Sequence, residues 1–416
     1  MRRRRSAASP RQMLSFTSAS EFYGTYKPYT DPVKYTVEVN CGPSVATREQ
    51  FRHYFPNSFH FFYDSLLQNY PKLSSMASTF PPLPSSQPSI HLDSPSLHTL
   101  LSPHLLIPHF RTFLPTFSLS IHSPPRLSYT LPSPSSSSSN TLLLMPCWST
   151  DPSLPYLFVK TVTVFPSNSS FLPPLPGVHA TVSLFHSLTG SPLASLDGTS
   201  LTFLRTSAVA GLASSLLSLP SSQTLLIIGS GGLSKYLISA HRVARPSINH
   251  IFIWNRTASK ALELVNELRK KEPDSSTVTF DYAENLDEVI GLADIVSCAT
   301  GSTNPIVKGR LLKPGAHLDL VGSFLPTMKE CDDEALLRGR VFVDFEVAMD
   351  EAGELVGAFE RGVLRREDVA GTLTELAGSK KEGRKRDDDV TVFKSVGTAV
   401  VDFLAAQLAY ESFIKT

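Results

Sequence analysis

The fold of this chain is decided by the stretch Thr224-Leu-Leu-Ile-Ile-Gly-Ser-Gly-Gly-Leu-Ser234. Its first five residues are apolar without interruption, as in a strand buried on both faces, and a helix is predicted for residues 232–244. In such a turn the first glycine permits the tight bend, the second lets the backbone approach a pyrophosphate, and the third position, here Ser234, must be small. The stretch therefore predicts a dinucleotide-binding turn at the start of a helix. The residues of this turn are Gly229, Ser230, Gly231, Gly232 and Leu233.

The next strand carries the signal for the type of dinucleotide. Ile251-Phe-Ile-Trp254 is followed by Asn255, Arg256 and Thr257, with no carboxylate among them. An acid at this position binds the ribose 2′-hydroxyl of NAD, whereas an arginine pairs with the 2′-phosphate of NADP. The sequence therefore predicts NADPH as the cofactor. The same three residues also suit an ordinary helix entry with Thr257 near the N-cap, which is compatible with that role.

Strands and helices alternate on both sides of this signal. An amphipathic helix is predicted for residues 259–270, and further strands are predicted for residues 278–280, 294–298, 316–321 and 341–344. Alternation at this spacing indicates βαβ units and therefore a parallel sheet. Residues 220–385 are predicted to form a Rossmann-type dinucleotide-binding domain.

Residues 89–219 have a different pattern, in which Pro and Ser separate short apolar runs. The runs are 105–114, 141–145, 156–165, 180–185 and 201–203. The alternation in Val159-Lys-Thr-Val-Thr-Val164 indicates that this unit is mostly strand, and a helix is predicted for residues 206–219. The predicted fold class is α/β, with a Rossmann-type domain and a second, α+β domain.

Composition excludes several classes of partner. The 416 residues include 38 Lys and Arg against 37 Asp and Glu, and this balance supplies no basic face for nucleic acid or an anionic membrane. The four cysteines lie far apart with no C-x-x-C pair, so neither a zinc site nor a disulfide framework is indicated. No stretch reaches the ~18 uninterrupted apolar residues of a membrane span. We therefore expect a small-molecule partner and no nucleic acid, membrane or metal.

Charges are distributed unevenly along the chain. Residues 1–216 hold only 8 of the 37 acids, and the cations between residues 89 and 219 are Arg111, Arg126, Lys160 and Arg205. Cations with few nearby acids imply an anionic ligand, most simply a carboxylate. Lys160 lies within an alternating apolar strand, where it also suits a surface lysine whose stem covers apolar neighbours.

The two ends of the chain carry separate predictions. The chain starts Met-Arg-Arg-Arg-Arg and has no acid before Glu21, which is the composition of an organelle transit peptide. Residues 1–75 are expected to be disordered and outside the folded body, either as a leader or as an artefact of gene prediction. Residues 390–416 are predicted to form a C-terminal helix that packs back on the first domain or on a partner subunit. Its apolar face comprises Val396, Val400, Phe403, Leu404 and Leu408.

A set of motifs runs in order from about residue 89 to the end. They are Leu144-Met-Pro146, Val159-Lys160, Asp197-Gly198, Arg205-Thr-Ser-Ala208, Gly229-Ser-Gly-Gly232, Trp254-Asn-Arg-Thr257, Ala293-Asp-Ile-Val-Ser-Cys-Ala-Thr300, Leu312-Lys-Pro-Gly-Ala-His317 and Thr391-Val-Phe-Lys-Ser-Val-Gly397. Together they resemble the ornithine cyclodeaminase/mu-crystallin family. Three more motifs resemble its plant ketimine reductase branch: Val321-Gly-Ser-Phe324, Met328-Lys-Glu-Cys-Asp-Asp333 and Gly357-Ala-Phe-Glu-Arg-Gly362.

The resemblance implies an arrangement of domains and a site. It implies that residues 89–219 bind substrate and form a homodimer, and that Arg126, Lys160 and Arg205 hold a substrate carboxylate, with Lys160 near the reacting nitrogen. It also implies cofactor contacts at the ends of the later strands. These contacts are Ala299, Thr300, Val321, Ser323, Phe393 and Ser395.

Ser323 separates two activities within the family. Members that are true cyclodeaminases carry an aspartate after this Val-Gly, whereas the ketimine reductases resemble this chain in carrying a serine. The resemblance therefore implies NADPH-dependent reduction of a cyclic ketimine carboxylate, namely piperideine-2-carboxylate (dehydropipecolate) to pipecolate, in a plastid and in plant systemic acquired resistance. The alternatives are an ornithine cyclodeaminase, a non-catalytic NADPH-dependent ligand-binding protein, and a cytoplasmic location.

Overall fold

Two β-sheets organise the computed structural model, which describes residues 89–132, 140–173, 175–272 and 277–415. These residues belong to one compact unit, Ser86–Thr416. The predicted leader lies outside the described residues.

The first sheet is built from strands in the first part of the described chain. They are β1 (Ile90–Leu92), β2 (Ile121–His122), β3 (Leu127–Leu131), β4 (Asn140–Ser149), β5 (Tyr156–Val164), β6 (Val178–His186) and β7 (Pro192–Asp197). Their order is β1-β7-β6-β5-β4-β2, and β3 pairs with β4. The β1–β7 pair is parallel and the others are antiparallel, so this part is the predicted α+β unit.

Three helices pack in the same core as the first sheet. They are α1 (Ser94–Leu100), α2 (Pro103–Phe117) and α3 (Gly198–Leu217). α3 begins where the side chain of Asp197 accepts from the backbone N–H of Ser200. By length and composition α3 could cross a membrane, but 72% of its apolar window is buried inside the protein, as in the core helix of a globular fold. It starts eight residues earlier than the predicted 206–219, since Gly198 follows the Asp197 cap directly.

α2 differs from the prediction, which placed residues 105–114 in a mostly stranded unit. The structure has a helix there, with Pro103 in its first turn and two prolines inside it. Its buried residues, Leu106, Ile107, Phe110 and Leu114, repeat at helical spacing and form the packed face. The interior prolines obscured this period, because proline is disfavoured within a helix.

The second sheet is parallel throughout. Its strands are β8 (Thr224–Ile228), β9 (His250–Trp254), β10 (Thr279–Tyr282), β11 (Ile295–Cys298), β12 (His317–Leu320), β13 (Gly339–Val343), β14 (Gly371–Thr372) and β15 (Val390–Lys394). The order is β10-β9-β8-β11-β12-β15-β13-β14. The strand order reverses direction beside β8, and this switch point is where dinucleotides bind in open α/β sheets. The predicted α/β class with a parallel sheet is confirmed.

Helices connect the strands of the second sheet. They are α4 (Ser234–Ala244), α5 (Ala258–Lys271), α6 (Leu286–Ile290), α7 (Asp333–Arg338), α8 (Ala348–Glu351), α9 (Gly353–Glu360) and α10 (Leu373–Ala377). The last helix of the chain is α11 (Ala399–Lys415). Short 3₁₀ turns occur at Pro166–Ser170, Gly309–Leu311 and Arg366–Asp368.

The prediction of one helix over residues 390–416 is wrong for its first part. Val390–Lys394 is fully buried and pairs with both β12 and β13, so it is a central strand of the second sheet. A run buried on both faces has no periodicity to separate strand from helix. Gly397, with φ +75°, separates strand from helix. α11 then packs on the first sheet, where the rings of Phe403 and Phe158 lie 6.3 Å apart.

Candidate active site

The glycine turn between β8 and α4 leaves room for a ligand. Gly229 has φ +109°, and a Cβ there would lie 2.6 Å from the carbonyl oxygen of Ala299. Gly231 has no heavy atom within 4 Å of the corresponding position. A side chain would therefore clash or be strained at the first position, whereas the second faces open space that a pyrophosphate can approach.

Two side chains fix the shape of this turn. The Ser234 hydroxyl donates to the carbonyl of Gly229 at 2.8 Å, so the serine at the third position of the motif closes the turn on itself. The Asn255 Oδ1 accepts from the backbone N–H of Ser230 at 3.3 Å, and its Nδ2 donates to the carbonyl of Thr257 at 3.0 Å. The end of β9 is thereby held against the turn, with Arg256 exposed beside it.

These features fit a nicotinamide dinucleotide. The turn from Gly229 to Leu233 and the backbone N–H groups that open α4 would hold the pyrophosphate, and Asn255 to Thr257 would face the adenosine ribose. When bound, the dinucleotide supplies or accepts a hydride.

Buried carboxylates support the ends of the next strands. Glu330 accepts from the N–H and the hydroxyl of Thr300 at 2.7 and 2.9 Å, and from the N–H of Gly322 at 2.8 Å. Ser323 is fully buried, and its hydroxyl donates to Glu354 at 2.7 Å. Burial raises the pKa of Glu330, and the charge of Lys394 opposes that rise. Glu330 therefore joins the segments after β11 and β12 at the edge where the cofactor is expected.

The remaining predicted cofactor residues lie at the same edge of the sheet. Val321 and Ser395 continue β12 and β15, with the Ser395 N–H donating to the carbonyl of Leu320 at 3.1 Å. Phe393 is fully buried in the core that the second sheet shares with the first. Contact of these residues with a cofactor stays a prediction.

The candidate substrate residues Lys160 and Arg205 meet on one carboxylate. Lys160, on β5, donates from Nζ to Asp402 Oδ1 at 2.8 Å and to the Thr202 hydroxyl at 2.7 Å. Arg205, on α3, donates from Nε to the same oxygen at 3.0 Å. Lys160 lies on the buried face of the first sheet and is 3% exposed, so it is not a surface lysine.

Charge and burial oppose each other in this cluster. Burial lowers the pKa of Lys160 to about 8; Asp402 opposes that fall, and Arg205 adds to it. Burial alone would raise the pKa of Asp402, but the charges of Arg205 and Lys160 outweigh it and hold the carboxyl below its usual range. At neutral pH the cluster therefore holds two cations and one anion, with a net positive charge available to an anionic ligand.

Arg126 lies beside this pair. Its Nη2 donates to Glu351 at 2.7 Å and to the carbonyl of Gly397 at 3.3 Å. Gly397 also contacts Arg205, since a Cβ on this glycine would lie 2.5 Å from Nη1. The structure therefore brings the three predicted cations together around one turn. Arg126 thus forms an ion pair with Glu351, a pairing that the sequence did not predict.

Asp344 holds the turn that the arginines contact. This buried carboxylate accepts from the N–H groups of Phe345, Val396 and Gly397 at 2.8, 3.1 and 2.7 Å. Burial raises its pKa to about 6, and the three N–H donors oppose the rise. Asp344 and Asp402 were both missed by sequence reasoning. The available signal for Asp402 was a lone acid between Val401 and Phe403, on the apolar side of a helix.

The chain combines a glycine turn at the switch point of a parallel sheet with a buried cation cluster on the first sheet. These are the features of a dinucleotide-dependent enzyme of the oxidoreductase class. Among the described residues no group of His, Cys, Asp and Glu is arranged to hold a metal. The model of the ornithine cyclodeaminase/mu-crystallin family matches residues 98–416, and the chain belongs to this family.

Relatives and solved structures cover a similar share of the chain. "Protein SAR DEFICIENT 4" of Arabidopsis thaliana is 54% identical over 326 residues, which is 78% of this chain and 98% of that protein. The Delta(1)-pyrroline-2-carboxylate reductase of Colwellia psychrerythraea is 34% identical, over 77% of this chain and 98% of that protein. The Thermococcus litoralis Delta(1)-pyrroline-2-carboxylate reductase, solved with NADH and L-proline, has TM-score 0.71 and 28% identity, covering 78% of this chain and 98% of that one.

Proposed function

We propose that this protein is an enzyme that reduces a cyclic ketimine carboxylate with a hydride from a nicotinamide dinucleotide. The observation that carries the proposal is the buried cluster of Lys160 and Arg205 on Asp402, with Arg126 beside it. Relatives named as pyrroline-2-carboxylate reductases support the same reaction class.

Each cation has a role in this reaction. The Arg205 guanidinium uses Nε on Asp402, so its two terminal nitrogens form a fork suited to a carboxylate. Arg126 provides a second cation for the substrate carboxylate. Lys160 donates to the imine nitrogen, because a protonated or hydrogen-bonded imine is the better acceptor of hydride at its carbon. Fixing the carboxylate orients the imine carbon for that transfer.

NADPH is the proposed cofactor within the nicotinamide class. Its support is the exposed Arg256 at the end of β9, where a carboxylate would select the unphosphorylated ribose. Neighbouring structures hold NADH or NAD⁺, so the preference for the phosphorylated form rests on this position.

The proposed substrate is piperideine-2-carboxylate, with pipecolate as the product and a role in plant systemic acquired resistance. The support is the resemblance to the plant branch and the similarity to the Arabidopsis protein named SAR DEFICIENT 4. Five- and six-membered imines differ by one methylene, worth ~1–3 kcal/mol of discrimination in a pocket.

Ornithine cyclodeamination is the second candidate within the family. It is disfavoured because Ser323 replaces the acid that assists removal of the amine, and its hydroxyl is bound to Glu354. Incubation with ornithine and a nicotinamide dinucleotide should release neither ammonia nor proline. A non-catalytic ligand-binding protein would bind NADPH without consuming it when an imine is added.

A homodimer in a plastid completes the proposal. Leu127 and Tyr129 on β3 are each 49% exposed on the outer face of the first sheet, which supports a partner subunit there. A neighbouring structure is described as an alanine dehydrogenase dimer, with TM-score 0.70 and 25% identity over 79% of this chain.

The arginine-rich, acid-poor start supports plastid import, and a fluorescent fusion of residues 1–90 that stays in the cytosol would contradict it.

The direct test is to follow NADPH absorbance with piperideine and pyrroline carboxylates in parallel. The proposal expects consumption of NADPH with both imines, and faster consumption with the six-membered ring. Equal background oxidation with and without imine would overturn the proposed reaction.

A further inference from the structure

We propose that Asp402 is a positioning residue that fixes the direction of the Lys160 ammonium and keeps it protonated at the pH of the reaction. This inference rests on the proposed imine reduction. It assigns to α11 a function beyond packing, since Asp402 is the group through which the last helix of the chain acts on the site.

The hydrogen bonds leave one direction for Lys160 to act in. An ammonium has three donors. One is used on Asp402 Oδ1 and one on the hydroxyl of Thr202. Thr202 itself donates to the carbonyl of Gly198 at 2.6 Å, so its oxygen is fixed as an acceptor for Lys160. The third N–H of Lys160 has no acceptor among the described residues, and it is the donor that the imine nitrogen would take.

Asp402 also sets the direction of Arg205. Its Oδ1 accepts from Nε of Arg205 and from Nζ of Lys160, so one oxygen fixes the spacing of the two cations. The terminal nitrogens of Arg205 lie against Gly397 and are left to bind a substrate carboxylate. In the imino acid, the carboxyl carbon and the ring nitrogen are both bonded to C2. Arg205 and Lys160, held by the same oxygen of Asp402, can therefore bind these two neighbouring groups of one substrate molecule.

The charges around Lys160 come from several elements. α11 contributes Asp402, α3 contributes Arg205, and the segment before β3 contributes Arg126. β4 contributes Cys147, whose thiol pKa is raised by burial and by Asp402, so it stays neutral. Among these groups Asp402 is the anion, and it is therefore the charge that keeps the lysine protonated against burial and two arginines.

The balance of the reaction shows why this charge matters. A hydride forms the new C–H bond, the π pair of the C=N bond moves onto nitrogen, and that nitrogen needs one proton or one strong donor. A neutral Lys160 would present a lone pair in place of one of its donors. Loss of the Asp402 charge lowers the pKa of Lys160. As the pH rises, a variant without this charge therefore loses activity at a lower pH than the native enzyme does.

The test compares the full-length native protein with Asp402→Asn across about pH 6 to 10. The expected result is a downward shift of at least one pH unit in the alkaline midpoint of kcat, a loss of at least about fivefold in kcat at pH 8, and little change in NADPH affinity. Glu411→Gln is the matched control: it removes an acid from the same helix, where Glu411 accepts from the Tyr156 hydroxyl, and it should leave the midpoint unmoved.

A second readout does not depend on activity. In protein labelled with ¹³C at the lysine ε-carbons, the resonance absent from Lys160→Met belongs to Lys160, and its titration midpoint should fall in Asp402→Asn. Thr202→Val removes the neutral acceptor of Lys160 and should lower the Lys160 titration midpoint by a smaller amount. This variant replaces Asp402→Asn in the measurement if Asp402→Asn does not fold. Unmoved midpoints in the folded variants would overturn the role of Asp402. Absence of imine reduction by the native protein would overturn the proposed function instead.

Discussion

Lys160 is the residue on which the proposed chemistry depends most. A lysine is rarely 3% exposed unless it is paired, and this one is paired with a carboxylate that also holds an arginine. Sequence reasoning singled out Lys160, Arg205 and Arg126 among the scarce cations of this part of the chain, and the family resemblance implied that these three hold a carboxylate. It could not identify Asp402, since the pairing joins positions 242 residues apart.

Replacing the lysine should separate chemistry from cofactor binding. Lys160→Met keeps the stem but removes the donor, so we expect kcat to fall about 100-fold or more, a typical loss for a removed acid. NADPH affinity, measured by nicotinamide fluorescence, should stay within about twofold. Lys271→Met, in an exposed pair with Glu267, is the control. Native turnover in Lys160→Met would remove this residue from the mechanism.

The native enzyme should also lose activity in alkaline solution. The pKa of Lys160 is about 8, and the protonated form is the donor, so the donor is fully present well below pH 8 and is lost as the pH rises through it. We therefore expect kcat at saturating imine and NADPH to decline with a midpoint near pH 8. A constant kcat up to about pH 10 would be inconsistent with Lys160 as the donor.

Arg256 should decide between the two nicotinamide dinucleotides. A charge-assisted pair with the 2′-phosphate is worth ~1.5–3 kcal/mol, so Arg256→Ala should raise KM for NADPH by roughly 10- to 100-fold. KM for NADH, which lacks that phosphate, should change little and acts as the internal control. A parallel rise for both cofactors would show that Arg256 has only a structural role.

At the scale of elements, the prediction succeeded where a pattern was local. The strand, turn and helix of residues 224–244 were predicted nearly to the residue, because a buried run, a glycine turn and a helical period follow one another. β15 was misread, since Val390–Lys394 is buried on both faces and its identity as a strand comes from β12 and β13. A strand buried on both faces shows no alternation of apolar and polar residues, so the sequence alone does not identify it as a strand.

The turn after β15 should govern substrate affinity through Asp344. Asp344→Ala removes the acceptor for three backbone N–H groups and frees Gly397, which both site arginines contact. We expect KM for the imine to rise at least fivefold and NADPH affinity to change little, together with a lower Tm. Asp350→Asn, an exposed neighbour paired with Arg366, should change neither constant. An unchanged KM in a destabilised Asp344→Ala would limit this residue to a folding role.

At the scale of the whole molecule, the two faces of the first sheet differ. The inner face holds Lys160 and packs on α3 and α11, whereas the outer face presents Leu127 and Tyr129. Apolar side chains exposed together on a strand are typical of a protein interface. The uneven distribution of charge in the sequence follows the same division, since the acid-poor half supplies both a cationic site and this apolar face.

The outer face should therefore control assembly. Light scattering of the native protein should give twice the mass of one chain, and Tyr129→Glu should shift it toward a single chain, because a buried unpaired carboxylate is costly. Leu262→Glu, at an exposed leucine on α5, should leave the mass unchanged. A native protein with the mass of one chain would contradict the proposed homodimer.

The central claim is that hydride passes from the bound dinucleotide to the carbon of a cyclic imine held by Lys160 and Arg205. The most direct measurement uses NADPH deuterated at the transferable position of nicotinamide C4, with piperideine-2-carboxylate and the full-length protein. We predict pipecolate that carries one deuterium at C2 for each NADPH oxidised, and formation of this labelled product at least about 100-fold slower when Lys160→Met replaces the native protein. Pipecolate without deuterium, or consumption of NADPH without any reduced imine, would contradict the account.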